Sequence, residues 1–183
     1  MIPLSIPYIS GNEWKYIKDC LDTNWVSSVG SYVDKFEEEI VKYTGAQYAI
    51  ATSNGTAALH VSLILSDIDI NHYVLVPNLT FVASVNTIKY TGAKPILIDV
   101  DAASWQMDLD LLQTFLERET EIKNNSCILK GTGRTIKAIM PVHILGNLCD
   151  MDKLLKITQK YHLKIVEDAT EALGAFYKGK HSG

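Results

Sequence analysis

The sequence predicts an α/β fold, a mostly parallel sheet flanked by helices. From residue 47 onward, short apolar runs alternate with segments of helical periodicity. The cores of the runs, among them Val74-Leu75-Val76, Ile96-Leu97-Ile98 and Ile165-Val166, are continuous and rich in β-branched residues. Alternation in hydrophobicity is missing from them, as expected of strands buried on both faces. Strand–helix alternation of this kind implies right-handed crossovers and a sheet covered by helices.

The elements follow in chain order. Ser10 and Glu13 have capping-box spacing ahead of Trp14, Ile17 and Leu21, which predicts a first helix. Ser31 and Asp34 repeat the signal, with Val33, Phe36, Ile40 and Tyr43 on one face and Gly45 as a stop. Both stripes are narrow, so each helix is expected to lie on a surface with one face buried. The runs Tyr48–Thr52, Tyr73–Val76, Ile96–Val100, Ala138–Val142 and Leu163–Glu167 are expected strands. Between them Thr56–Leu65, Phe81–Tyr90, Leu109–Glu119 and Met151–Tyr161 have helical periodicity. The polar stretch from Thr120 to Ile136, with Gly131-Thr132-Gly133 as its turn signal, reads as a small hairpin excursion. The change of rhythm divides the chain into an N-terminal helical segment, 1–46, and an α/β part, 47–183.

Composition removes several function classes. The 183 residues are 47% hydrophobic and 21% charged, with a net charge of −4. A mildly acidic surface does not attract a nucleic-acid backbone or an anionic membrane, so neither is an expected partner. Cys20, Cys127 and Cys149 are widely spaced and lack a CxxC, which supports neither a disulfide framework nor a zinc knuckle. Met1-Ile-Pro-Leu-Ser-Ile-Pro7 has no basic region and no unbroken apolar stretch, so it is not read as a secretory signal. The expected location is cytoplasmic.

In an open α/β sheet, ligands bind beyond the carboxyl ends of the strands. Ser53-Asn54-Gly55-Thr56 follows the first run and opens a helix, where free N–H groups and the helix dipole favour an anion. A capped polar turn explains the same residues. Pro77-Asn78-Leu79-Thr80-Phe81 follows the second run. There Thr80 can cap the next helix, and Phe81 either joins an apolar stripe with Val85 and Ile88 or stacks on a flat ligand. His143 follows the fourth run and is given no chemical role. Glu167 and Asp168 end the fifth run and should point to opposite sides of the strand, so at least one needs a buried partner. That partner is a lysine, an arginine, a helix N-terminus, a cationic ligand atom or, less well supported, a metal; the expected metal set is empty. No P-loop, dinucleotide fingerprint or nucleophile elbow is present.

In this order the segments resemble one family. Trp25-Val-Ser-Ser, Ser53-Asn-Gly-Thr-Ala-Ala-Leu-His60, Pro77-Asn-Leu-Thr-Phe-Val-Ala83, Pro141-Val-His-Ile-Leu-Gly146, Asp150-Met151 and Glu167-Asp-Ala-Thr-Glu-Ala-Leu-Gly174 are similar to motifs of the DegT/DnrJ/EryC1/StrS sugar aminotransferases. Each is weak alone, and the set is specific. The resemblance implies the large domain of an aspartate aminotransferase-like, fold type I transferase with pyridoxal 5′-phosphate (PLP) as cofactor. It implies amino transfer from an amino acid donor, glutamate, to a nucleotide-linked keto sugar. Trp25–Phe36 and Gly131–Ile139 look most like the branch acting on UDP-linked 4-keto sugars on routes to bacillosamine or legionaminic acid.

By the same resemblance, Asn54, Gly55 and Thr56 would hold the cofactor phosphate, and Phe81 would stack on the pyridine ring. Asp168 would pair with the ring nitrogen, keeping it cationic so that the ring can accept carbanion electrons. Glu171, where many members carry glutamine, would lie near the phenolic oxygen. The family's Schiff-base lysine is expected beyond Gly183, since Lys178 and Lys180 sit in a hairpin around Gly179 that does not match its motif. The large domain is therefore expected to be incomplete in this chain, and the family's homodimer is the expected assembly. The alternative is a truncated, catalytically silent remnant or interaction subunit.

Overall fold

The computed structural model describes Ile2 and residues 6–183. Met1, Pro3, Leu4 and Ser5, part of the stretch read against a secretory signal, lie outside the described residues. The chain forms two compact units, Met1–Ala51 and Thr52–Gly183.

The first unit holds α1 (Glu13–Asp22) and α2 (Ser31–Thr44). Neither start uses the expected capping box. Glu13 reaches back to the Gly11 N–H at 2.8 Å, and Asn12 stands at the N-cap without a side-chain bond. At α2 the N-cap is Gly30, which places Ser31 inside the helix, while Gly45 ends it in a left-handed conformation as expected. The expected buried faces are also corrected. Neither helix has a buried residue, and Trp14, Ile17, Leu21, Phe36 and Tyr43 are exposed. Two helices and a few irregular segments supply too little surface to enclose two apolar stripes.

Tyr48–Thr52 is irregular rather than a strand, with Tyr48 and Ile50 exposed. An apolar run becomes a strand only where another strand pairs with it, and among the described residues none does; the Ala51 N–H donates to the Glu37 carboxylate at 2.7 Å instead.

The second unit carries α3 (Gly55–Leu65), β1 (His72–Pro77), α4 (Val82–Tyr90), β2 (Lys94–Ile98), α5 (Leu109–Glu119), β3 (Thr120–Lys123), β4 (Ser126–Leu129), β5 (Arg134–Ile139), α6 (Met151–Tyr161), β6 (Lys164–Ile165) and a final hairpin, β7 (Phe176–Tyr177) with β8 (Lys180–His181). The main sheet runs β2-β1-β5-β4-β3, and β6 pairs with the second half of β5. Its β2/β1, β1/β5 and β5/β6 pairs are parallel. The Thr120–Ile136 excursion is larger than expected: β4 joins this sheet antiparallel to β5, and β3 pairs antiparallel with β4. Its first turn is Asn124-Asn125, both at positive φ, and its second lies at Gly131–Gly133.

Side-chain alternation along β1 splits the core between the two faces. Leu75 packs with Leu112, Leu116, Leu154 and Ile157, from α5 and α6. Val74 and Val76 pack with Leu59, Leu63 and Ile88, from α3 and α4. The two-sided burial expected of these runs holds for β1 and β5. On β2, Leu97 is exposed because that strand ends the sheet. Among the described residues, no helix is long and apolar enough to cross a membrane.

Candidate active site

The segments leaving β1, β2, β5 and β6 meet the N-terminus of α3 around a cleft of about 440 Å³. That volume lies within the roughly 300–1,000 Å³ usual for small-molecule sites. Gly55, Thr56, Phe81, Asp168 and Glu171 all line it. Asn54 stands at its edge as the N-cap of α3, its Oδ1 accepting the Ala57 N–H at 2.9 Å. The N–H groups of Gly55 and Thr56 open the helix, where no intrahelical acceptor exists.

Asp168 is buried in the cleft wall and is held through both its backbone and its side chain. Its backbone bridges to the segment after β5: the Asp168 N–H donates to the Pro141 carbonyl at 2.9 Å, and the His143 N–H donates to the Asp168 carbonyl at 3.1 Å. The side chain accepts the Ser84 hydroxyl at 2.6 Å on Oδ2 and the Thr170 hydroxyl at 2.8 Å on Oδ1. Thr170 also touches the helix opening. A Cβ on Gly55 would stand 3.4 Å from its Oγ1, about van der Waals contact, which places Thr170 beside the helix opening. Ser84, buried on α4, was not singled out in the sequence. Its signal was a polar residue inside the apolar stripe of a buried helix.

Thr80 does not cap α4. Its hydroxyl lies 2.8 Å from Ser84 Oγ, and with Ser84 donating to Asp168, Thr80 is the donor of that pair. Phe81 is the N-cap residue of α4 and is exposed on the cleft wall, while Val85 and Ile88 of the expected stripe pack in the core.

Glu167 and Asp168 take separate partners. Glu167 Oε2 lies 3.0 Å from Nε2 of the fully buried His143 side chain and accepts the Gly183 N–H at 3.0 Å. The His143 bond, more than any other contact, holds the Glu167 carboxyl below its ordinary range, against a burial effect of opposite sign. Glu171 Oε2 accepts the Leu145 N–H at 2.6 Å, holding a turn in which Leu145 has φ 55°. Among the described residues, no lysine lines the cleft; Lys178, on the β7–β8 hairpin, pairs with Asp152.

The mostly parallel sheet covered on both faces has the large-domain architecture of PLP-dependent aminotransferases, to whose solved structures it is similar. The chain belongs to the DegT/DnrJ/EryC1/StrS aminotransferase family, whose model matches residues 7–183. It is similar to a GDP-perosamine synthase from Caulobacter vibrioides, with 41% identity over 182 residues, covering 100% of this chain and 45% of that protein. It is also similar to the crystal structure of an aminotransferase from Psychrobacter cryohalolentis, with TM-score 0.84 and 31% identity, over 99% of this chain and 42% of that one. The PLP form of Spr1654 from Streptococcus pneumoniae matches with TM-score 0.80 and 28% identity, over 100% of this chain and 46% of that one. The chain therefore spans less than half the length of the proteins it matches.

Proposed function

We infer that this chain supplies the PLP cradle of an aminotransferase that moves an amino group from an amino acid donor, glutamate, to a nucleotide-linked keto sugar. The observation that carries the reading is the Gly55–Thr170–Asp168 arrangement, in which one threonine bonds the buried carboxylate and lies beside an open helix start. PLP fits it: its phosphate is an anion for the α3 opening, and its ring nitrogen is a cation for Asp168. When bound, PLP supplies an electron sink for a carbanion at the amino-bearing carbon.

The residues of the chain then have distinct tasks. The Gly55 and Thr56 N–H groups and the Thr56 hydroxyl hold the phosphate, and Asn54 keeps the helix start in shape. Phe81 covers one face of the ring. Asp168, oriented by Ser84 and Thr170, holds the proton on the ring nitrogen. Glu171 borders the phenolic oxygen while anchoring the Leu145 turn. The lysine that carries the cofactor covalently is proposed to lie outside these 183 residues. A homodimer is the proposed assembly. The 41% identity to a GDP-perosamine synthase supports a GDP-linked sugar over the UDP-linked sugar that the Trp25–Phe36 resemblance implies.

Titration with PLP followed by borohydride reduction and peptide mapping tests the reading. Saturable binding that leaves Lys178 and Lys180 unmodified is expected. A stoichiometric adduct on either lysine, or no saturable binding, contradicts it.

A further inference from the structure

One wall of the cleft is left unused by the cofactor assignments. Trp105, in the loop after β2, and Leu145, in the turn after β5, both line it, and both hold left-handed backbone, at φ 62° and 55°. A bulky L side chain is crowded by its own backbone in that region, where glycine or asparagine usually stands.

Both conformations are fixed by the surrounding chain. The Trp105 N–H donates to the Asp101 carbonyl at 2.8 Å, and the Asp101 carboxylate accepts the Ser104 N–H at 2.8 Å. The Leu145 N–H is held by Glu171, as described. Gln106 ties the two loops together: it is buried, and its Nε2 donates to the Ile144 carbonyl at 3.3 Å. Its Oε1 has no hydrogen-bond partner, so the link is kept with the amide only partly satisfied.

Core packing does not explain these positions, because Trp105 is 53% and Leu145 70% exposed. Two strained residues on separate, cross-tied loops present large apolar side chains to one cleft. Strain held in this way gathers at ligand sites.

We propose that Trp105 and Leu145 form a sugar-recognition wall that seats the C–H face of the hexose in a nucleotide-linked substrate. The proposal deepens the reading above and rests on it. One face of a hexose ring is lined by C–H groups, and the electron-rich face of an indole attracts such polarised hydrogens while burying apolar area. Leu145 extends that apolar surface beside it.

Trp105→Gly and Leu145→Gly test the proposal in the PLP-loaded protein. Glycine accepts positive φ, so each change removes the side chain and the backbone strain together. The probes are GDP-mannose and bare GDP, measured by calorimetry, with PLP affinity and Tm recorded for each variant. The wild-type protein is expected to bind GDP-mannose more tightly than GDP. Trp105→Gly should weaken GDP-mannose about tenfold, and Leu145→Gly should weaken it less. GDP and PLP affinities should hold, without a fall in Tm. A sugar-dependent gain that survives in both variants, or that is absent from PLP-loaded wild-type protein, overturns the proposal. Failure of the wild-type protein to take up PLP overturns the functional reading instead, and the sugar wall with it.

Discussion

Ser84 Oγ donates to Asp168 Oδ2 at 2.6 Å, linking two buried groups 84 residues apart in sequence. The bond ties α4 to the segment after β6 and fixes the aspartate in the cleft. Ser84→Ala leaves a buried carboxylate oxygen short of a donor, at a cost of about 1–3 kcal/mol. Urea denaturation should show that loss, and PLP titration should show weakened cofactor binding.

Glu171 holds the Leu145 N–H at 2.6 Å, but in an exposed setting. Glu171→Ala should therefore cost only about 1 kcal/mol globally. Its local effect should be larger. Hydrogen exchange at the Leu145 amide should quicken, while amides of β1 and β5 keep their protection.

Glu167 gives the unit an acid-side weakness. A carboxyl held below its ordinary value, near 4.5, contributes stability above that value and loses it as pH falls through its lower folded pKa. Tm should therefore drop as the pH is taken below about 4.5. Glu167→Gln should lower Tm at neutral pH and flatten its decline in that acid window. An unchanged acid slope would argue against the His143 pairing as its source.

The three thiols should react unequally. Burial, more than any other influence, pushes the Cys149 thiol up to about 12, and burial raises Cys127 as well. Little thiolate forms at either near neutral pH. Cys20 is only half-buried. Alkylation of folded protein at pH 8, followed by mass spectrometry, should label Cys20 first and leave the other two until denaturant is added.

The second unit was largely legible in the sequence, because unbroken β-branched runs and helical stripes report burial directly. The bounds expected for α5 and α6 match those observed. Tyr48–Thr52 failed because hydrophobicity reports burial but not a pairing partner. The start of α2 failed because Gly30 sets that boundary through its backbone, while Ser31 carries the more familiar side chain. Within the cleft, Phe81, His143 and Asp168 follow apolar runs and could be found from topology, whereas Gly55 and Thr56 follow a run that is not a strand. Ser84 was hidden because one serine in an apolar helix reads as a tolerated interruption. Trp105 and Leu145 were hidden for a different reason: left-handed backbone is signalled by glycine and asparagine, and neither residue type announces it.

The account centres on Asp168 as the partner of the PLP ring nitrogen. The most direct measurement is PLP titration of wild-type protein and Asp168→Asn, followed by the circular dichroism that the asymmetric site induces in the cofactor's visible absorption. Wild-type protein should give a saturable induced signal. Asp168→Asn, with nearly the same shape but no charge, should lose most of it. An undiminished signal and unchanged affinity in Asp168→Asn would contradict the account.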